Sequence, residues 1–474
     1  MNDIGIYICN YNGKKWVVEC IHSLLKQSIK NFDIYVVDNA SSDGTVEEVK
    51  TVFGEKISFL CNKTNMGGSG GFDRGLQDAL RKGYPYIVLL DNDVLLDPYA
   101  LENMKQYLET HNDVGIVGAK VMIMDKPNMV QDFGARLDFI NFRETPEYTW
   151  QKDNGELPEI NECDYVPTCA VMVRADTLKE TGTMPVENFI YYDDIELSYK
   201  MKRKGWGVAA LGNAKVWHKG GFNKVSVNTF PKYYFLRNRL YFFAKYVGEQ
   251  EIERFIDHML SEVFALLYGY YNKGMHELLW TTIFAFDDFI HLNFGKAEDD
   301  KILQIQDRKI PFDRITADKA RIEIAMIDNF RPEDELDIFH ILLYIIGKIQ
   351  VKAPRETIWV SLDGCGYSQQ EFFENWGRTV EMDHPLFAVP ELVISEDVRE
   401  FDLRMRLCQH VRLVSVPVLP VVYVDQYCNC ITSEQDYAYF KGYETNEAFF
   451  KGIYRPLMER SVRKIRELME DHGE

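Results

Sequence analysis

No stretch of this 474-residue sequence is long and apolar enough to cross a bilayer. The most apolar runs, Ile338–Ile346 and Phe264–Tyr271, suit buried helices, so any membrane contact would be peripheral. The opening Met1-Asn2-Asp3 enters a short apolar strand without a basic segment or cleavage site, and a signal peptide is not expected. Excess positive charge is missing as well. A formal charge of −19 and a pI of about 5.1 repel phosphates and argue against nucleic acid as a partner. A nucleotide is still admissible, because a bound divalent cation neutralises a diphosphate locally. The nine cysteines form no paired framework, and the CxC of Cys428 and Cys430 lacks the second ligand pair of a zinc site. Buried free thiols in a reducing cytoplasm are the expectation. There is no internal repeat or low-complexity segment.

What is present is strand–helix alternation. Ile4–Cys9, Phe32–Val37, Ile57–Cys61 and Tyr86–Leu90 read as strands. Trp16–Lys26, Thr45–Val52 and a segment reaching Lys82 read as the intervening helices. This pattern predicts a parallel sheet covered on both faces, with ligands at the carboxyl ends of its strands. Asp38 and Asp91 fall at those ends. Further on, Gly115–Val121 and Ala170–Val173 read as strands and Ile195–Lys204 as a helix, while Pro127–Pro158 shows little periodicity and reads as an excursion or acceptor-facing loop. Past Gly248 the chain turns helical (Ile252–Tyr271, His276–Leu292, Glu333–Ile349), with a charged connection over Glu298–Asp318. β-like runs follow at Ile358–Leu362, Leu392–Ile394 and Val411–Val424, and a last helix over Arg455–Glu470. The implied organisation is a catalytic domain over 1–247, a helical region over 248–350 and an α+β region over 351–474.

Four constellations carry chemistry. Asp91-Asn92-Asp93 follows a strand directly, and two carboxylates in one turn can share a hard divalent cation that binds diphosphates. Such triplets also form plain solvated turns. Asn65–Gly75 contains Gly67, Gly68, Gly70 and Gly71 ahead of Arg74. These glycines either let the backbone approach an anionic ligand or make a tight strand–helix connection. Arg74 would contact phosphate or lock the loop to an acidic partner. Asp193-Asp194-x-Glu196 opens a helix; its carboxylates either cap that helix or act as a general base tuned by its neighbour. His218, within Trp217–Gly221 and downstream of both acidic motifs, is either structural or a metal ligand.

In this order and spacing, the segments resemble family 2 glycosyltransferases of the GT-A fold. The matching parts are Cys9-Asn10-Tyr11-Asn12-Gly13, Val36–Gly44, the glycine-rich stretch, Asp91-Asn92-Asp93, Tyr192-Asp193-Asp194 and Trp217-His218, within about residues 1–245. Asn65–Arg74, Phe189–Tyr199 and Trp217-His218 followed by Tyr233–Leu240 are most similar to bacterial galactofuranosyltransferases. The resemblance implies an α/β fold: a GT-A nucleotide-diphospho-sugar transferase domain with a Rossmann-like mixed sheet, then a C-terminal mixed helical and β region. It implies an inverting, metal-dependent transfer from a UDP-sugar, UDP-galactofuranose foremost, to a glycan or lipid-linked glycan acceptor in cell-surface polysaccharide biosynthesis. Asp91, Asp93 and His218 would hold Mn²⁺ or Mg²⁺. Asp194 would be the general base, with Asp193 and Glu196 as supporting carboxylates. Asp38 would meet the nucleotide base, Asp91 also the ribose–diphosphate region, and Asn10, Asn12, the four glycines and Arg74 would line the donor pocket. Arg237 and Arg239 would either close over the diphosphate or make structural ion pairs. Where galactofuranosyltransferases usually carry three aspartates, Asn92 stands in the middle, a position not expected to ligate.

Rhamnosyltransferases of the family share much of this pattern, which leaves a dTDP-rhamnose donor as the alternative. A sugar nucleotidyltransferase would need a basic glycine-rich opening loop in place of Asn10–Lys15, and would leave Asp193-Asp194 and Trp217-His218 without a task. A non-catalytic nucleotide-sugar-binding scaffold is the third reading. In related polymerising enzymes the C-terminal region supports oligomerisation and membrane association. The expected location is the cytoplasm, with peripheral contact at the inner face of the membrane and homo-oligomerisation both open. The last helix carries Arg455, Arg460, Arg463, Lys464 and Arg466 against Glu459 and Glu467, as a lipid-facing or merely solvated face.

Overall fold

The computed structural model describes residues 2–220, 227–306, 311–326, 338–362, 366–383, 385, 387–395, 401–408, 421–425 and 428–472. They divide into two units. One comprises Met1–Phe255, Phe284–Ile302 and Arg460–Glu474, the other Ile256–Ile283 and Leu303–Glu459.

In the first unit β1 (Ile4–Asn10), β2 (Phe32–Asp38), β3 (Ile57–Cys61) and β4 (Tyr86–Asp91) run parallel. They are joined by α1 (Lys14–Leu25), α2 (Thr45–Phe53) and α3 (Gly67–Lys82). β5 (Val94–Leu96), α4 (Ala100–Thr110), β6 (Val114–Ile123), β7 (Lys126–Asp132), β8 (Ala135–Asp138), β9 (Arg143–Pro146), β10 (Ile160–Glu162) and β11 (Ala170–Arg174) follow. α5 (Ala175–Thr181), α6 (Asp193–Arg203), β12 (Gly207–His218) and α7 (Phe230–Tyr246) complete the run. The sheet order is β10-β12-β6-β11-β4-β1-β2-β3. β11 lies antiparallel between β4 and β6, which makes the sheet mixed, as the resemblance implied for an α/β domain. Side chains alternate across it as the pleat requires. Ile4, Ile6 and Ile8 meet Val17, Ile21 and Leu24 of α1 on one face, and Tyr7 and Val37 meet Phe72, Leu76 and Ala79 of α3 on the other.

The second unit holds a separate sheet. β13 (Ile322–Ala325), β14 (Thr357–Ser361), β15 (Glu391–Ile394), β16 (Leu403–Cys408), β17 (Val421–Asp425) and β18 (Cys430–Ile431) are ordered β15-β14-β13-β16-β17-β18. All pairings but the last are parallel. The order reverses between β13 and β16, the signature of a doubly wound sheet. α8 (Ile252–Asn272) and α9 (His276–His291) are divided between the units, α10 (Pro311–Ala317), α11 (Ile338–Lys352), α12 (Gln369–Asp383) and α13 (Glu434–Lys441) belong to the second, and α14 (Tyr443–His472) is again divided. Leu342, Ile345, Ile346 and Ile349 of α11 pack on Ile324, Val360 and Met405.

Several expectations change. Pro127–Pro158 is not irregular: it contains most of β7 and the β8–β9 hairpin. The final helix, expected over Arg455–Glu470, begins at Tyr443 and continues through Pro456. The parts of Val411–Val424 and Glu333–Ile349 at 411–420 and 333–337 lie outside the described residues, as does Gly221. Two basic groups of the last helix are engaged within their units: Arg455 donates to Asp257 at 2.7 Å and Arg466 to Glu249 at 2.5 Å. Among the described residues no helix is long and apolar enough to cross a membrane, and eight cysteines are free thiols.

α3 lies close on β1 because of Gly71. A Cβ there would stand 2.8 Å from Asn39 Nδ2 and closer still to Cys9 Sγ. Gly71→Ala gains helix propensity of at most about 1 kcal/mol, while overpacking costs about 1–3 kcal/mol. A net fall in the thermal unfolding midpoint is expected; an unchanged or raised midpoint would show that the gap between β1 and α3 yields.

Candidate active site

Three strand ends assemble the floor of the site. The register pairs Asn10 with Asp38 and Cys9 with Asp91, so the carboxyl ends of β1, β2 and β4 lie side by side. β5 returns antiparallel to β12 and places His218 opposite Val94, beside Asp93. His218 Nε2 stands 3.1 Å from Asp93 Oδ1 and 3.7 Å from Asp91 Oδ2. One ligand atom from each residue lies within 4.8 Å of the others. Two carboxylates and an imidazole so converged fit a divalent cation. Asn92 is turned away, donating to Asn10 Oδ1 at 2.7 Å.

The protonation chemistry agrees. Desolvation pushes the Asp91 carboxyl up to about 6; His218 opposes the rise, and Asp93 and Asp193 add to it. Burial pulls the His218 imidazole down, but the hydrogen bond to Asp93 and the charges of Asp91 and Asp93 outweigh it and leave it raised. The other ring nitrogen, Nδ1, lies 2.9 Å from the amide of the buried Gln131. As placed, the Gln131 Nε2 donates to Nδ1, which leaves the ring proton on Nε2 facing Asp93; a cation on Nε2 requires the amide flipped, so that its oxygen accepts from Nδ1–H. A Cβ at Gly220 would collide with the His218 ring, so that glycine leaves the ring its place.

The second acidic group opens α6. Asp193 is buried and its Oδ2 accepts from Ser69 Oγ at 2.9 Å. Asp194 Oδ1 accepts from the Ile195 amide at 2.8 Å. Burial and the Asp193 carboxylate push Asp194 well above the usual carboxylate range. The Cys169 thiol, at the start of the antiparallel strand, feels Asp91, Asp132, Asp93 and Asp194 together, and Cys9 feels Asp91, Asp193 and Asp38. Packing joins the two motifs: Cys9 pairs with Asp91, Gly71 of α3 lies against Cys9 Sγ, and Ser69 in the same helix turn holds Asp193. Asp132 was not singled out from the sequence. Burial pushes it up to about 6, and the Gly134 amide holds its Oδ1 at 2.8 Å.

Not every expected residue joins them. Asp38 does, but its oxygens already accept from Asn10 Nδ2 at 3.1 Å and the Ser41 amide at 2.9 Å. Asn12 shapes the same rim, accepting from the Ser42 amide at 2.8 Å. The glycines chiefly permit contact within the fold. Gly67, at φ +73°, sits against the Phe189 carbonyl, Gly70 against Met66 and Gly71 against Cys9; a Cβ on Gly68 would lie 3.9 Å from Asp193 Oδ2. The Gly67 amide is taken by Asn65 Oδ1 at 2.8 Å and that of Ser69 by Phe189 O at 3.1 Å. Arg74 is exposed and donates to Asn62 Oδ1 at 2.6 Å, a neutral amide in place of the acidic partner expected of a locking role.

Two residues are placed elsewhere. Glu196 is 1% exposed and accepts from Lys245 Nζ at 2.7 Å and Tyr246 OH at 2.9 Å, so it is a buried structural ion pair and not a supporting carboxylate. Arg237, 1% exposed, donates to the carbonyls of Gly295 at 2.9 Å and Asn188 at 3.2 Å. A guanidinium spent on buried carbonyls does not close over a diphosphate. Arg239 donates to Phe142 O at 2.6 Å.

Residues 5–178 match the glycosyl transferase family 2 model. Over 203 residues the chain is 25% identical to galactofuranosyltransferase GlfT2 of Mycolicibacterium smegmatis, covering 40% of this chain and 31% of that protein. Over 136 residues it is 32% identical to the putative glycosyltransferase EpsE of Bacillus subtilis, covering 28% and 46%. Over 223 residues it is 25% identical to galactofuranosyltransferase GlfT1 of Mycolicibacterium smegmatis, covering 45% and 70%. The chain thus spans about a third to a half of the length of the first two of these relatives. Residues 5–178 thus carry a glycosyl transferase family 2 domain, and the N-terminal part of the chain is similar to glycosyltransferases.

If Gln131 orients His218, Gln131→Ala should weaken Mn²⁺ binding by about 10–100-fold, the usual effect of losing such a partner. A Mn²⁺ titration of the full chain checks this, and an unchanged affinity would detach Gln131 from the cation site.

Proposed function

We propose that the chain is an inverting glycosyltransferase that moves a sugar from a UDP-sugar, UDP-galactofuranose foremost, to a hydroxyl of a glycan or lipid-linked glycan acceptor. The observation that carries this reading is the meeting of two acidic centres: the Asp91–Asp93–His218 cluster, and a pair made of the buried Asp193 and the half-buried Asp194, whose carboxyl is raised in proton affinity. The relatives named galactofuranosyltransferase support the choice of donor.

Asp91, Asp93 and His218 would hold Mn²⁺ or Mg²⁺. When bound, such a cation neutralises the diphosphate and stabilises the leaving nucleoside diphosphate. Asp194 takes the proton of the acceptor hydroxyl as that oxygen attacks the anomeric carbon. The bond from the anomeric carbon to the diphosphate breaks, and its electron pair leaves with UDP. One displacement from the opposite face inverts the anomeric configuration. A carboxylate with raised proton affinity suits the step, since a base of very low pKa would hold the proton too weakly. Asp193, tied to Ser69, stays beside it and raises that affinity.

Asp194→Asn keeps shape and removes the base. Transfer should fall by about 10²–10⁴-fold, with UDP binding in the presence of Mn²⁺ nearly intact. Full turnover in that variant, or a product of retained anomeric configuration by NMR, would contradict the mechanism.

A further inference from the structure

The turn that presents Asp193 and Asp194 is strained. Phe189, Tyr191 and Tyr192 have φ of +64°, +63° and +63°, a region that bulky L-residues avoid. Three such aromatic residues within four positions persist only where the surroundings hold them. The sequence motif Tyr233–Leu240 supplies the holding groups.

Asn238 is fully buried on α7. Its Nδ2 donates to three consecutive or near-consecutive carbonyls of the turn, Asn188 at 2.9 Å, Ile190 at 2.8 Å and Tyr191 at 3.0 Å. Its Oδ1 accepts from Arg237 Nε at 3.0 Å. That contact fixes the amide orientation: a guanidinium only donates, so the oxygen must face it and the NH₂ must face the carbonyls. Arg237 itself reaches Asn188 O through Nη2, and Tyr234 stacks on Phe189 with ring centroids 5.2 Å apart. At the far end of the same helix Lys245 holds both Glu187, at 2.9 Å, and Glu196, at 2.7 Å. α7 thus grips the segment on both sides of the acidic pair.

We propose that Asn238, braced by Arg237, is a positioning residue for the transfer reaction: by holding the strained Asn188–Tyr192 backbone it aims the Asp194 carboxylate at the acceptor hydroxyl. The inference rests on the reading of Asp194 as the base. It gives Arg237 a task in the reaction without contact to the donor. Aspartate at 238 keeps the shape but turns acceptor oxygen toward three carbonyls, whereas alanine removes both functions. A displacement of about 1 Å in a catalytic group is enough for a loss on the order of 10²-fold in rate.

The test compares Asn238→Asp, Asn238→Ala and the milder Arg237→Lys in the full chain, with UDP-galactofuranose turnover and calorimetric binding of UDP with Mn²⁺ as readouts. The expected result is a kcat about 100-fold lower for the Asn238 variants and a smaller loss for Arg237→Lys, with KM for donor and UDP affinity within about threefold. Each change is then repeated on Asp194→Asn. A residue that acts through Asp194 adds no further loss there, because the group it aims is already gone. Losses that multiply on the residual turnover of Asp194→Asn, or UDP affinity that falls in step with kcat, would overturn the inference and leave the base assignment standing. Full activity of Asp194→Asn alone would remove the base assignment, and this inference with it. Should the Asn238 variants fail to fold, Arg237→Lys carries the same comparison.

Discussion

Crowding of negative charge governs this site. Two like charges 4 Å apart repel by about 4 kcal/mol at the effective dielectric of a protein surface, and the carboxyl ends of β1, β2 and β4 together with α6 collect several. The structure meets the cost by assigning partners. Asp38 has Asn10 and the Ser41 amide, Asp193 has Ser69, Glu196 has Lys245, and Asp93 has His218. Among the described residues Asp194 accepts from backbone amides of its own helix turn, and burial, with the charge of Asp193, outweighs them and raises its affinity for a proton. A group held in that state can take a proton from a hydroxyl, and a pair of carboxylates facing an imidazole can take a cation. Both capacities follow from how the charges are compensated.

Strand pairing decides which charges meet. The β5–β12 register brings a histidine from residue 218 to the turn at residues 91–93, and the insertion of β11 places Cys169 between the two acidic motifs. Backbone strain at Phe189, Tyr191 and Tyr192 is tolerated because α7 and the amide of Ser69 satisfy the carbonyls it exposes. The tight approach of α3, enforced by Gly67 and Gly71, closes the same corner.

Much of this was legible in the sequence. The alternation of apolar runs located β1 to β4, and the acidic residues following them gave Asp38, Asp91 and Asp93. His218 was recoverable by its order after two acidic motifs. Sequence could not separate a charge aimed at a ligand from one satisfied internally: Glu196, Arg237 and Arg74 belong to distinctive motifs, yet their partners lie 49, 58 and 12 positions away. Gln131 and Asp132 were missed because Pro127 and Asn128 mask the short strand that carries them. Val130 and Phe133, both fully buried, flank the polar pair without the period-two alternation that marks a strand, so the sequence offered no clear signal there. In the second unit, strands of four to six residues such as β13 and β16 are too short to stand out, and only pairing reveals the doubly wound order.

The central claim is that the Asp91–Asp93–His218 cluster and the neighbouring strand ends form a cation-dependent site for a uridine diphosphate. Isothermal calorimetry of the full chain with UDP, dTDP and GDP, each with Mn²⁺ and with chelator, tests it most directly. The account predicts binding of UDP that requires Mn²⁺ and exceeds that of the other two nucleotides. Equal UDP affinity in the presence of chelator would contradict the cation site, and a preference for dTDP would contradict the donor.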